Sequence, residues 1–370
     1  MTADRIALVC PLDWGLGHAT RCVPVIRALQ QQGFKVIVAA DGRPYDFFRT
    51  EYPSTELLRF PGTGIRYPAG SGMAIAMAAA IPRLLLGIRK EHQFLKKLVR
   101  ETGACLVVSD NRYGCWHAEV RSVFMTHQLN IQLPVFIRGL ANVVRKINYS
   151  FINRFSECWV PDEEDEGGLS GRLSHCIKLP DNCHFIGLLT RFAGPPSAPA
   201  ELPCKPAGIF VLISGPEPQR SIFETLIISQ LKNSSQTAII AGGRTESANY
   251  ELLEDRIHVF PHLSSSLIQY YIQNAGHVIC RSGYSTLMDL AALGRSAILV
   301  PTPGQTEQEY LAKRLSTMNV HYAMAQGSFS LDEALVNSKG NKPIVIRNDM
   351  SVLKQRAARL FAQAASFRAR

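Results

Sequence analysis

A chain of 370 residues has room for two domains. Its 46% hydrophobic and 19% charged residues exclude a disordered chain and a bundle of membrane spans, and its 27 Gly and 21 Pro lack the period of a fibrous protein. Against 30 Asp and Glu stand 40 Lys and Arg, a formal +10 that attracts phosphorylated small molecules or an anionic membrane face. No aromatic residues interleave with the basic ones in the manner of an RNA-binding surface, so nucleic acid is not expected as a partner. The nine Cys are dispersed, odd in number and without a C-x-x-C pair, a usage that fits a reducing compartment and neither a disulfide framework nor a zinc site. The start of the chain lacks the charged-then-apolar order of a signal peptide, so a cytoplasmic location is expected.

In chain order, short β-branched apolar runs alternate with amphipathic stretches. Strands are expected at Ile6–Cys10, Lys35–Ala40, Cys105–Ser109, Val123–Thr126 and Cys158–Val160, with a helix over Val23–Gln32 ending at Gly33. The Pro-rich stretch from Arg191 to Ala207 reads as an interdomain linker. The alternation then restarts: strands at Ile209–Ile213, Thr237–Ala241, Ile257–Phe260, Val278–Cys280 and Ala297–Val300, helices at Ser221–Leu231, Ser264–Gln273, Thr286–Leu293 and Glu307–Leu315. Such βα alternation predicts parallel sheets covered by helices. The expected organisation is two Rossmann-like doubly wound α/β domains, 1–190 and 208–350, joined by the linker 191–207 and facing a cleft. A final helix over Ser351–Phe367, within the segment 351–370, has no strand after it and is expected to pack back on the first domain. One segment, Gly70–Ile88, approaches the length of a bilayer span, but Pro82 and Arg83 interrupt it. It reads as a buried helix, or as a helix lying near a membrane surface, because Arg83, Arg89, Lys90, Lys96, Lys97 and Arg100 crowd its downstream flank.

The residues with chemistry sit where strands end. After the first strand, Gly15 and Gly17 allow close backbone approach to a ligand, and His18 is placed at the mouth of the sheet. There it reads as a general base or as a buried structural His. No third glycine completes a dinucleotide fingerprint, since Thr20 stands at that position. Asp110 closes another strand of the same half, where it either orients and charges His18 as a dyad partner or caps the next helix. Asn111 and Arg112 follow it, and His127-Gln128 lies past the next strand, a place for acceptor contacts or for an orienting backbone bond. In the second half, the turns bearing Ser214, Gly215 and Arg220, and Gly242 and Gly243, could border a phosphate. Richest is Arg281-Ser282-Gly283-Tyr284-Ser285-Thr286-Leu287-Met288-Asp289: a Gly-Ser/Thr turn opening a helix presents N–H groups and hydroxyls to a phosphate, and a carboxylate in the first turns can accept both hydroxyls of a ribose. Ser285 could equally cap that helix. Beyond it, Gly304, Gln305, Glu307 and Gln308 offer amides and a carboxylate suited to sugar hydroxyls, or simply a charged helix N-terminus.

Together these pieces resemble the GT-B glycosyltransferases, in particular the branch of N-acetylglucosaminyltransferases that make peptidoglycan lipid intermediates (MurG-like). Gly15-Leu-Gly-His18 is similar to that family's N-terminal loop, and Thr126-His-Gln-Leu-Asn130 to its His-Glu-Gln-Asn motif. Arg281 to Asp289 resembles its donor motif Arg-Ala-Gly-x-x-Thr-x-x-Glu, and Glu307-Gln308 its paired glutamines. The resemblance implies that Thr286 faces the donor phosphates, Asp289 the ribose, and Glu307 and Gln308 the sugar. Gln128 stands where the family has Glu, Asp289 is one methylene shorter than its Glu, and the segment Ser109–Gly114 has no counterpart there, which points to another acceptor. His18 and Asp110 are similar to the base dyad of the related plant and macrolide glycosyltransferases.

The function expected on this basis is inverting transfer of a sugar from a nucleotide-sugar, expected to be a UDP-sugar, to an unidentified hydroxyl acceptor. The nucleotide-sugar is a substrate, and no cofactor is expected. No Asp-x-Asp triad appears, so no metal is expected either. The alternatives are a sugar-nucleotide 2-epimerase on the same fold and a catalytically silent nucleotide-sugar-binding protein. A peripheral position on the inner face of the membrane is the location these expectations imply.

Overall fold

The computed structural model describes residues 5–62, 73–133, 135–165, 167–175, 177–192, 201–245, 249–346 and 350–367. The first half builds β1 (Ile6–Pro11), α1 (Leu16–Gln31), β2 (Lys35–Ala40), α2 (Gly42–Glu51), β3 (Glu56–Arg59), α3 (Met73–Thr102), β4 (Leu106–Asp110), β5 (Arg121–Met125), α4 (Ala141–Ile152), β6 (Glu157–Val160) and β7 (Cys183–Phe185). The second half builds β8 (Ile209–Leu212), α5 (Gln219–Lys232), β9 (Ala238–Ala241), β10 (Glu251–Leu253), β11 (Ile257–Phe260), α6 (Ser265–Asn274), β12 (His277–Cys280), α7 (Tyr284–Ala292), β13 (Ile298–Leu299), α8 (Thr306–Thr317), β14 (Tyr322–Ala323) and α9 (Leu331–Asn337). The closing helix α10 spans Ser351–Phe367.

Two seven-stranded sheets result. The first runs β3-β2-β1-β4-β5-β6-β7, with every pairing parallel. The second runs β10-β11-β9-β8-β12-β13-β14 and is parallel except for β10, which pairs antiparallel with β11. Both orders reverse direction once, between β1 and β4 and between β8 and β12. At such a switch point the loops after the two neighbouring strands diverge to opposite faces and leave a crevice at their carboxyl ends. The central strands β1, β4, β8 and β9 are buried on both faces, as their unbroken apolar runs (Ala7-Leu-Val-Cys10, Ile209-Phe-Val-Leu212) require of a parallel sheet.

One core cluster runs from the inner face of the first sheet (Ala7, Val9, Val108) through α1 into Phe210, Leu212 and α7 of the second half. Separate clusters fill the outer faces, Leu95, Leu98 and Val99 of α3 against the first sheet and Phe223 and Ile227 of α5 against the second. Helix α10 turns back across the molecule: its Leu353, Ala357 and Leu360 join the cluster containing Ala28 and Leu29 of α1, and Phe361 meets Phe34 edge-on at 5.1 Å. Arg5 clasps the same helix, donating to the Phe361 carbonyl at 3.1 Å.

Two expectations need correction. Helix α1 begins at Leu16, seven residues before the expected Val23, so His18 lies in its first turn rather than on a free loop. The apolar segment at Gly70–Ile88 is the start of a thirty-residue helix that continues to Thr102; Gly70 to Gly72 lie outside the described residues. Among the described residues no helix is long and apolar enough to cross a membrane. Of the Pro-rich stretch 191–207, residues 193–200 lie outside the described residues, and Arg191 takes part in an ion pair described below.

Candidate active site

The switch point of the first sheet places His18 and Asp110 together. β1 and β4 are neighbours in register, with Pro11 beside Asp110, so the helix that follows β1 starts over the end of β4. His18 Nδ1 lies 3.1 Å from Asp110 Oδ2. Asp110 is fully buried, and Asn111 after it takes a left-handed backbone (φ 57°) that turns the chain away rather than starting a helix. The helix-cap alternative for Asp110 is thereby removed.

A residue that sequence reasoning missed completes the group. Arg21, 2% exposed, is one turn beyond His18 on α1. Its Nε donates to both oxygens of Asp110, at 3.0 and 2.9 Å, and its Nη2 donates to Oδ1 as well. Nη2 also sits 3.1 Å from His18 Nδ1, and Nη1 sits 3.2 Å from His127 Nδ1. Burial alone would push the Asp110 carboxyl up; the charges of Arg21 and His18 and their hydrogen bonds outweigh it and bring it down to about 2. Once α1 is begun at Leu16, His18 and Arg21 fall three apart on one helical face, the signal that could have found the pair.

His127 and Gln128 lie past the end of β5 and reach the other half. His127 Nε2 is 2.7 Å from Glu307 Oε1, and Gln128 Nε2 donates to Glu307 Oε2. The His127 ring stacks on Tyr284 at 4.0 Å between centroids and 9° between planes, while the Tyr284 hydroxyl donates to the Pro161 carbonyl. At the opposite switch point α7 opens at Gly283. No side chain caps this helix; instead Ser285 Oγ donates to the Gly17 carbonyl at 2.8 Å. The N-termini of α1 and α7 therefore face each other across the cleft. A Cβ on Gly17 would lie 3.1 Å from Ser285 Oγ, while Gly15 and Gly283 border open space. Thr286 stands in the first turn of α7, half-buried.

Other expected site residues are placed differently. Asp289 is 4% exposed, and both oxygens are engaged: Thr190 Oγ1 donates to Oδ1 at 2.7 Å and Arg191 Nε is 3.3 Å from Oδ2. The carboxylate thus ties α7 to the chain leaving the first half instead of facing a ribose. Arg281 is buried over the Phe223 ring and donates to the carbonyls of Val300, Pro301 and Gln219 and to Gln326 Oε1. It braces loops, and burial pulls it down to about 9. Arg112 is likewise internal, pairing with Glu91 of α3 at 3.0 Å and donating to the carbonyl of Pro61. It supports the loop beneath the site and is buried there, away from the position expected of an acceptor contact.

Arg220 is buried in a knot with Glu217, Glu224 and the Gly242 carbonyl. Glu307, expected at the sugar, bridges to His127 and Gln128, and Gln308 turns inward to accept from the Thr302 N–H at 2.9 Å. Ser282 Oγ donates to the Gln308 carbonyl, and the Gln308 side chain donates to Gln305 Oε1. The turn glycines Gly215, Gly243 and Gly304 have positive φ (109°, 66° and 78°), and Ser214 and Gly215 lie at the cleft end of β8.

The comparisons with known proteins come down on the same architecture. Residues 221–362 match the profile of the glycosyltransferase family 28 C-terminal domain. The second half therefore resembles the C-terminal domain of family 28 glycosyltransferases, and the match covers less than half of the chain. A relative from Bradyrhizobium sp. (strain BTAi1 / ATCC BAA-1182), a UDP-N-acetylglucosamine–N-acetylmuramyl-(pentapeptide) pyrophosphoryl-undecaprenol N-acetylglucosamine transferase, is 35% identical over 94 residues. That stretch is 25% of this chain and spans only 22% of the relative's length. The glycotransferase of kitacinnamycin superposes with a TM-score of 0.62 at 13% identity, over 99% of this chain and 97% of that one. MurG from Acinetobacter baumannii gives 0.51 at 13% identity, over 99% and 100%. The fold is therefore GT-B, two doubly wound domains with a cleft between the carboxyl ends of their sheets.

Proposed function

We propose that this chain is an inverting glycosyltransferase that takes its sugar from a nucleotide-sugar held by the second half and passes it to a hydroxyl held by the first. The observation that carries the reading is the opposition of two groups: the His18–Asp110 pair on one switch point and the N-terminus of α7 on the other, joined through Ser285 and Gly17 at 2.8 Å. In the step proposed, His18 Nε2 takes the acceptor proton as its oxygen bonds the anomeric carbon. The carbon–oxygen bond to the diphosphate breaks, and the electron pair leaves with the nucleoside diphosphate. N–H groups of the first turn of α7, with Thr286, offset the charge that grows on that leaving group. Metal independence belongs to the proposal, and a chelator should leave turnover unchanged.

UDP is the favoured nucleotide because the Bradyrhizobium relative uses a UDP-sugar by its name. The acceptor is proposed to be lipid-linked or of the cell envelope, met at the inner face of a membrane. Nothing in the matched family or in the geometry favours the epimerase or the silent binder. The test is a melting-temperature panel of nucleotides and nucleotide-sugars, in which a ligand at 100 times its Kd adds about 2.7 kcal/mol of stability. Each stabilising donor is then followed for transfer, slow hydrolysis and epimerisation. Stabilisation by a UDP-sugar with hydrolysis or transfer supports the reading, and epimerisation without hydrolysis overturns it.

A further inference from the structure

We propose that Arg21 is the positioning residue of this site: it aims Asp110 at His18 and fixes the proton of His127 on Nε2, the nitrogen that reaches Glu307. The inference rests on the reading above for its meaning, but its geometry stands without it. A guanidinium carries five N–H donors, no acceptor, and keeps its proton in proteins. Arg21 spends those donors on two groups, both oxygens of Asp110 and His127 Nδ1 at 3.2 Å, while its Nη2, already given to Asp110, only passes His18 Nδ1 at 3.1 Å. The His127 nitrogen facing a donor must offer its lone pair, so the ring proton has one place left. That place is Nε2, 2.7 Å from the Glu307 carboxylate. One tautomer satisfies both contacts, and an imidazolium would set N–H against N–H.

Of the charged groups facing His127, Glu307 favours the imidazolium while Arg21 and His18 oppose it. Arg21 and His18 come from α1, Glu307 from α8, the Tyr284 ring from α7, and Asp110 stands behind Arg21. Burial holds His127 below its ordinary value, against the pull of Glu307 and with the help of Arg21 and His18. On the other side of the guanidinium, the paired donation to Asp110 leaves Oδ2 at Nδ1 of His18, the orientation in which Nε2 of His18 is free to take a proton. A single side chain thereby couples the base to the contact that spans the cleft.

The test reads ring nitrogens directly, by correlating them with carbon-bound ring protons in the 15N-labelled full chain at neutral pH, with His127→Asn assigning the signal. The expected result is a His127 ring with Nδ1 unprotonated and Nε2 protonated in the native chain, and loss of that pattern in Arg21→Met. Because Arg21→Met strands a buried carboxylate, the double variant Arg21→Met/Asp110→Asn, which removes both charges, serves where the single variant does not fold. A native His127 that carries its proton on Nδ1 or is charged overturns the proposal. So does an unchanged pattern in either folded variant.

With a donor in hand, the folded variant should also lose about tenfold or more in kcat while UDP affinity by calorimetry stays within about threefold. An unchanged kcat would overturn the positioning role. If no nucleotide-sugar turns over in the native chain, the glycosyltransferase reading fails, and the ring-nitrogen result still decides the placement of Arg21.

Discussion

At the scale of single residues, the site holds its charges by burial and pairing. His18→Ala should lower transfer by about 10²- to 10⁴-fold, the usual worth of a general base, with melting temperature and UDP affinity close to native. Near-native turnover in the folded variant would remove His18 from the chemistry. Asp110→Asn behaves differently, because Asp110 also neutralises a guanidinium that is 2% exposed. Removing one partner of a buried pair costs about 3–5 kcal/mol, so this variant should unfold at markedly lower urea concentration as well as lose activity. The pH dependence follows with a definite sign. The folded carboxyl titrates at about 2 against an ordinary 3.8, so its contribution is complete above the usual carboxylate range and fades as pH falls through that interval. The amount is on the order of 2 kcal/mol. Native protein should therefore lose more stability than Asp110→Asn when urea melts are compared across acid pH, and parallel losses would contradict the pairing.

At the scale of elements, helix starts decide what each side chain can reach. The expected start of α1 at Val23 leaves His18 on a loop and Arg21 outside any pattern. The actual start at Leu16 puts both on one face over the end of β4. The strands were more legible, because buried parallel strands read as unbroken apolar runs, and β2 and β11 have the bounds expected of them. Short edge strands such as β7 and β14 carry little apolar signal and were not foreseen. Asp289 shows the limit of a local motif. Its place on α7 is readable, but its partners Thr190 and Arg191 are 99 and 98 positions away in sequence, where the expected first domain ends and the expected linker begins. Asp289→Ala should cost about 1–3 kcal/mol by stranding those donors, and Asp289→Asn, which keeps an acceptor for Thr190, should cost less; equal melting temperatures for all three chains would refute the tie.

Helix α4 points to another element-scale outcome. Its Asn148 is buried and donates to the Gln128 carbonyl at 3.0 Å, while Val143 and Ile147, with Leu140 before them, stay more than half exposed. Arg138 and Lys146 flank them, and the exposed Leu85 and Leu86 of α3 lie among that helix's basic residues. An apolar face beside cations suits an anionic bilayer, at about 1 kcal/mol per basic residue near the surface. The chain should float with anionic liposomes at low salt and not with neutral ones, and Leu140→Ser/Val143→Ser/Ile147→Ser should abolish flotation.

At the scale of the whole molecule, the two sheets were predictable and their mutual grip was not, since the residues that make it are separated by more than a hundred positions. Glu51 at the end of α2 accepts from the Ser265 N–H at the start of α6 at 2.9 Å, and His262 Nε2 lies 3.1 Å from its other oxygen. Arg314 of α8 donates to the carbonyls of Gly167 and Gly168, and the Arg172 N–H donates to the Tyr310 hydroxyl. Glu307 closes the middle through His127 and Gln128. These bridges lie on several edges of one cleft, so loss of a single one leaves the others to hold the halves. Burial acts to raise the Glu51 carboxyl, and its bonds to His262 and Ser265 with the charge of Arg191 outweigh that and lower it, so this bridge weakens when acid protonates Glu51. Glu51→Ala/Glu307→Ala removes the acceptors at one edge and at the centre together while leaving each hydrophobic core intact. The expected result in small-angle scattering is a larger radius of gyration at neutral pH, with secondary structure unchanged by circular dichroism. Each single variant should expand less than the double. A double variant as compact as the native chain would show that the remaining contacts and α10 suffice to hold the halves closed, and that neither carboxylate governs the cleft.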